Sequence, residues 1–164
     1  MTAGLVLHEG GARDIAEIMT VMHDAFCAAF GEAWTSAQCL GVLDLPRVWV
    51  TIARIDDQPA GFALSRTVVD EAELLLLAVR PAFRCRGVGT ALVHRTMAVA
   101  VASGARKLHL EVREGNFAHK MYNGIGFDEV GRRPGYYRGN DGKIFDALSL
   151  SVRLSPGPAG NNPT

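Results

Sequence analysis

One stretch constrains the chain more than any other. From Glu73 to Val79 the sequence is apolar almost without interruption, and Pro81 stops it two residues later. Such a run predicts a strand covered on both faces, lying centrally in a sheet. A turn follows, and then Val88 to Ser103 carries apolar residues almost all round the helical wheel, with Gly104 placed to cap the end. That pattern predicts a helix packed deeply against the same sheet. The chain of 164 residues is long enough to build this unit into a single domain. At that size folding buries roughly 70% of the unfolded surface, so a disulfide-stapled miniprotein is excluded. Lys+Arg and Asp+Glu stand at 17 each, a formal net charge of zero, which supplies no field to gather a polyanion. Nucleic acid is therefore not the expected ligand. A hydrophobic fraction of 48% against 21% charged residues argues for a folded body.

The rest of the chain supplies elements around that unit. Arg13 to Phe30 places Ile15, Ile18, Met19, Met22, Ala25, Phe26 and Ala29 at helical spacing, predicting one amphipathic helix, and a second helical piece is expected near Ser36 to Leu43. Arg47 to Ile55 is β-branched and alternating, and Asp56-Asp57-Gln58-Pro59 offers turn chemistry before Ala60 to Asp70, so the two predict a hairpin. Lys107 to Arg113 reads as a strand with Leu108, Leu110 and Val112 on one face and His109, Glu111 and Arg113 on the other. Asn116 can cap a short helix to about Asn123, with Gly124-Ile125-Gly126 as its exit. Phe127 to Arg132 and Ile144 to Arg153 read as two strands joined by a loop rich in Gly, Tyr and Asp. The fold expected is α/β (α+β): a mixed central sheet of about six to seven strands flanked by about four helices. A single domain over 1–154 is expected, followed by a disordered tail over 155–164, which is dense in Pro, Gly and Asn.

Cys27, Cys39 and Cys85 are odd in number and lack Cys-x-x-Cys spacing, which points to a reducing compartment and to no metal site. The N-terminus lacks the basic leader and long apolar stretch of a signal peptide, and no run approaches the ~20 apolar residues of a membrane span. A soluble cytoplasmic protein is expected, monomeric or weakly dimeric, with no membrane partner.

Between the apolar strand and the buried helix lies Arg84-Cys85-Arg86-Gly87-Val88-Gly89-Thr90-Ala91. Two glycines let a diphosphate approach the backbone, the free N–H groups at the helix start point at it, and Arg84 and Arg86 add positive charge. A tight turn with solvated arginines would read the same way. The loop lacks the Lys-Ser/Thr ending of a Walker loop and the Gly-x-Gly-x-x-Gly of a dinucleotide fold.

The loop resembles the acetyl-CoA motif of the GNAT acetyltransferases, Gln/Arg-x-x-Gly-x-Gly/Ala. The resemblance extends through Leu110-Glu111-Val112-Arg113-Glu114-Gly115-Asn116, Met121-Tyr122-Asn123-Gly124-Ile125-Gly126-Phe127, Tyr136-Tyr137 and Asp141-Gly142 before Asp146-Ala147. Together these resemble the RimI branch of that superfamily, whose members acetylate the N-terminal alanine of a small-subunit ribosomal protein. Two places depart from the branch: Ala33-Trp34-Thr35 stands where Pro-Trp-Ser is usual, and Pro134-Gly135 precedes the tyrosines. In the family these regions flank the acceptor.

The resemblance implies acetyl-CoA as co-substrate, no metal, and a protein N-terminus as acceptor. It places Glu111 at the position of the base, where a carboxylate on the polar face of a central strand can take the amine's proton directly or through a water. An ordinary Glu ion-paired with Arg113 or Lys107 is the alternative. Tyr122 is by resemblance the general acid; a phenol near 10 can protonate a thiolate near 8.5, whereas a packed aromatic is the alternative. Cofactor contacts are implied for the backbone of Ala78 and Val79, for Arg84, Arg86, Gly87, Val88, Gly89 and Thr90, and for Asn116 at the pantetheine arm, although Asn116 as a plain helix cap would look the same. Trp34, Tyr136 and Tyr137 are expected at the acceptor. His109 shares the face of Glu111 as a possible second relay, while His23, His94 and His119 have no partners at ligand spacing and receive no role. Two other functions remain open: acetylation of a small-molecule amine or free amino acid, and an acyl-CoA-binding regulator without turnover.

Overall fold

The computed structural model describes residues 4–156. The expected tail falls almost wholly outside the described residues. Strands β1 (Leu5–Gly10), β2 (Val48–Ile55), β3 (Gln58–Val68), β4 (Glu71–Val79), β5 (Lys107–Arg113), β6 (Asp128–Arg138) and β7 (Ile144–Arg153) form one sheet in the order β1-β2-β3-β4-β5-β7-β6. Helices α1 (Ile15–Ala25), α2 (Ser36–Leu43), α3 (Val88–Ala102) and α4 (Ala118–Ile125) cover it. The apolar run does become the middle strand, fourth of seven. No helix among the described residues is long and apolar enough to cross a membrane.

Two apolar layers sandwich the sheet. On one face Val88, Leu92, Val93 and Ala100 of α3 and Tyr122 of α4 pack on Ala53, Ala63, Leu74, Leu108 and Leu110. On the other, Ile18, Val21 and Met22 of α1 and Cys39 of α2 pack on Val50, Ile52, Phe62, Leu64 and Leu76. Leu74 and Leu76 lie two residues apart yet serve opposite layers. Leu64 pairs with Leu76 and Ser65 with Leu74, so Leu75 is the extra residue of a β-bulge that reverses the alternation.

Several boundaries differ from the sequence expectation, each for a tertiary reason. The helix expected to Phe30 ends at Ala25, and Phe26 is extended at φ −106°, ψ 125°. The Ala25 carbonyl accepts Arg84 Nη2 at 2.8 Å instead of continuing the helical ladder. Phe26 then joins the α1-side core, whereas Phe30 packs edge-on against Phe145. Strand β6 runs through Tyr136 and Tyr137 to Arg138, where a loop was expected, because a register shift between Arg133 and Tyr137 absorbs Pro134 and Gly135. The β2–β3 hairpin turns on Asp56 and Asp57, both at positive φ, so β3 begins two residues before Ala60.

Candidate active site

β4 and β5 run parallel, but they pair only from Glu71↔Lys107 to Leu74↔Leu110. Beyond the bulge at Leu75 they part: β4 stays on β3, with Val79 opposite Gly61, while Glu111 to Arg113 stay on β7. The result is a wedge-shaped cleft at the carboxyl ends of two central strands, the place where open α/β sheets bind ligands. Val79 O points away from β3 and accepts Arg84 Nε at 3.1 Å. Arg80 N–H donates to Ala60 O at 2.8 Å, so by antiparallel alternation Ala78 also directs its groups at β3. Of the two residues implied for cofactor pairing, Val79 alone faces the cleft.

The glycine loop follows the carboxyl end of β4, on the wide side of this cleft. Gly87, at φ 81°, is the N-cap of α3, and the first ladder bond runs from Ala91 N–H to Gly87 O at 3.0 Å. The amides of Val88, Gly89 and Thr90 thus have no acceptor inside the helix and remain for an anion. A Cβ on Gly89 would stand 3.1 Å from Met121 Sδ and 3.7 Å from Val79 Cγ2, so this glycine lies between β4, α3 and α4. These features fit a diphosphate followed by an extended arm. The Arg84 guanidinium bonds the carbonyls of Val79 and Ala25, tying the loop to β4 and α1. Arg86 lies against the Phe83 ring, 5.8 Å from its centroid.

Glu111 is the first residue of β5 past its last pair with β4, where the wedge begins to open, with its side chain 19% exposed and Oε1 2.6 Å from Arg133 Nε. Its ion-pair partner is Arg133 of β6, not the Arg113 or Lys107 that sequence proximity suggested. His109 pairs instead with Glu71 at 3.4 Å, toward the other end of β5. Tyr122 on α4 is buried and stacks edge-on against Phe127 at 5.5 Å. Burial pushes its phenol above the ordinary value, and Tyr137 and Glu32 push it the same way. Tyr122 thus stays protonated more firmly than an ordinary phenol, which makes it a hydrogen-bond donor across the working pH range and a more reluctant acid than expected. Tyr137 is raised likewise, chiefly by burial and then by Glu32. Tyr136 stands exposed beside it, with ring centroids 5.0 Å apart. Trp34 packs against the α1-side core.

A buried pair at the floor of the site escaped the sequence reading. Glu32, in the segment between α1 and α2, accepts Arg113 Nε at 3.0 Å on one oxygen and Asn116 Nδ2 at 2.8 Å on the other. The Arg113 guanidinium lies 3.8 Å from the Phe30 ring centroid and also donates to Glu114 O. Asn116 Oδ1 accepts Ala118 N–H at the start of α4, the bond that the plain-cap alternative expects. The same α1–α2 segment meets the β6–β7 turn backbone to backbone. Asn140 N–H donates to Ala28 O at 3.2 Å, and side chains at Gly31 or Gly139 would strike the carbonyls of Arg138 and Ala29. The two segments are joined at one end of the cleft. A cavity of about 340 Å³ lined by Met97, Ala98, Val101 and Arg153 sits toward the other end of α3 and contains none of these groups.

The profile of the Acetyltransferase (GNAT) family matches residues 15–127. The chain belongs to the GNAT acetyltransferase family. It lies in the RimI-like branch and is an acetyl-CoA-dependent N-acetyltransferase. The [ribosomal protein bS18]-alanine N-acetyltransferase of Haemophilus influenzae is 40% identical over 99 residues, 60% of this chain and 68% of that protein. Its counterpart from Haemophilus ducreyi is 36% identical over 99 residues with the same coverage. The crystal structure of the ribosomal-protein-S18-alanine N-acetyltransferase from Escherichia coli superposes with a TM-score of 0.82 at 28% identity, over 96% of this chain and 97% of that one. Ard1 from Thermoplasma volcanium shares the GNAT fold, with a TM-score of 0.78 at 23% identity over 93% and 99% of the two chains. In this GNAT enzyme the wedge between β4 and β5 is the feature around which the acetyl-CoA motif and the polar end of β5 converge.

Proposed function

We propose that this enzyme acetylates the N-terminal alanine α-amine of a ribosomal protein of the bS18 type, acting in the cytoplasm, with Glu111 as base and Tyr122 as donor to the leaving sulfur. The similarity to enzymes named for that acceptor supports the substrate class. The observation that carries the chemistry is the parting of β4 from β5 beyond Leu74, which leaves Glu111 as the first β5 residue without a β4 partner, while the free Val88–Thr90 amides lie past the carboxyl end of β4.

Bound acetyl-CoA supplies an activated thioester carbonyl. The amides of Val88, Gly89 and Thr90 hold its diphosphate, and the groups of Val79 that face the cleft lie along the path of the pantetheine arm. Glu111 takes one proton from the acceptor ammonium and passes it to solvent, the freed lone pair forms the new N–C bond, and the second proton leaves the nitrogen to water as the tetrahedral adduct collapses to the amide. Tyr122 donates to the sulfur as the C–S bond breaks, giving up its proton late because burial raises its cost, and solvent restores it. An α-amine near 8 sits about 2.4 pH units below a lysine near 10.4, roughly 3.3 kcal/mol that a carboxylate base is spared. This difference favours a chain terminus over a lysine side chain.

Peptides that differ only at their first residue, incubated with acetyl-CoA and read by mass spectrometry, test the acceptor. Acetyl on the α-amine of Ala-initiated peptides is expected. Transfer to small amines but to no peptide would replace this reading with the small-molecule alternative. For the base, Glu111→Gln should lose most of its rate at pH 6.5; a wild-type rate there would remove Glu111 from the role.

A further inference from the structure

The two arginines of β6 beside the site are held very differently. Arg132 is fixed by two carboxylates, with bonds to Glu114 at 2.8 and 3.2 Å and to Asp146 at 2.9 Å. Arg133 has one carboxylate oxygen, that of Glu111, and the Tyr136 ring 5.6 Å from its guanidinium carbon. The Arg133 side chain is 63% exposed, whereas Glu111 is 19% exposed. Arg113, the other cation near this end of β5, is engaged by Glu32 and by Phe30. Glu111 thus has one partner among the described residues, and that partner stands on its solvent side.

We propose that Arg133 occupies the place on Glu111 where the acceptor ammonium docks, so that acceptor binding is an exchange of one cation for another. The proposal rests on Glu111 as the base and names what fills its site before the acceptor arrives. A protonated amine carries the charge needed to replace a guanidinium on a carboxylate; a neutral isostere does not. The displaced guanidinium keeps the Tyr136 ring beneath it, so opening the site does not strand a bare cation. The shift between Arg133 and Tyr137, with Gly135 at φ 64°, ends strict pairing where this side chain must swing. Arg133 is accordingly a specificity-determining residue: it makes the base available to acceptors that enter as cations.

The test is binding without turnover. Calorimetry with the CoA-bound enzyme at pH 6.5 compares an Ala-initiated peptide, whose α-amine is then almost fully protonated, with the des-amino peptide of the same sequence. Arg133→Gln removes the competitor, so the amino peptide should bind about two- to fivefold tighter, the span of an exposed ion pair, while the des-amino peptide is unchanged. Arg133→Lys should restore the wild-type affinity, and in a Glu111→Gln background Arg133→Gln should change nothing. Equal shifts for both peptides, no shift for either, or weaker binding of the amino peptide to Arg133→Gln would each overturn the proposal. The base assignment is judged separately, by the turnover of Glu111→Gln alone: loss of rate there with no effect of Arg133→Gln refutes the exchange and leaves the base standing.

Discussion

Glu32→Gln isolates the buried pair under the acceptor site, because it preserves the shape of the side chain and removes only its charge. The Glu32 and Arg113 side chains are 10% and 9% exposed, so the variant leaves a guanidinium out of water with no counter-charge. Removing one partner of such a pair costs about 3–5 kcal/mol. Arg113 retains the Glu114 carbonyl and the Phe30 ring, a contact that contributes up to about 2 kcal/mol when desolvated, so the lower end, about 3 kcal/mol, is expected. At about 2–4 °C per kcal/mol for a domain of this size, the melting midpoint should fall by about 6–12 °C. Thermal and urea melts followed by circular dichroism measure this directly. The double variant Glu32→Leu with Arg113→Met should regain most of the loss, since no charge is then left to solvate, and the cycle gives the coupling between the two. The acceptor KM of Glu32→Gln should rise more than the acetyl-CoA KM, because Glu32 ties the α1–α2 segment to β5. A midpoint within about 1 °C of wild type would show that the pair does not hold the site together and would refute the reasoning.

Gly89→Trp should weaken acetyl-CoA binding at least tenfold in calorimetry, since even a Cβ there meets Met121 Sδ at 3.1 Å; unchanged affinity would move the diphosphate elsewhere. Tyr122→Phe keeps the edge-on contact with Phe127 and loses the donor, so turnover should drop by about 10²-fold with acetyl-CoA affinity nearly kept, and wild-type turnover would remove Tyr122 from the chemistry. The Asp146 carboxyl is held below its usual range, first by the Gly135 N–H and then by Arg132. A depressed carboxyl stabilises the fold above its unfolded value near 3.9 and loses that contribution as pH falls below it, so the hydrogen-exchange protection factors of the β6–β7 hairpin, taken relative to the intrinsic rate at each pH, should fall below about pH 4 in the wild type. Asp146→Asn should lack this acid step, and identical acid profiles would dismiss the assignment.

The sequence alone determined the elements whose cause is local. The middle strand, α3 with Gly104 at φ 86° behind it, β5 from Lys107 to Arg113, and α2 follow from neighbouring residues: apolar periodicity, a missing Cβ, a proline after a strand. Tertiary structure alone decided the rest. The wedge depends on the Leu75 bulge, which exists only in the pairing of β4 with β3, and nothing in a run of four leucines marks the one that will stand unopposed. α1 stops at Ala25 because an arginine 59 residues away takes its carbonyl. Glu32 meets Arg113 across 81 residues, and its one sequence signal was indirect: a strand that ends in an arginine beside apolar neighbours needs a counter-charge from somewhere. The raised phenol of Tyr122 and the guanidinium on Glu111 belong to the same class, since desolvation and long-range ion pairs are properties of the packed whole and leave no trace in the spacing of adjacent residues.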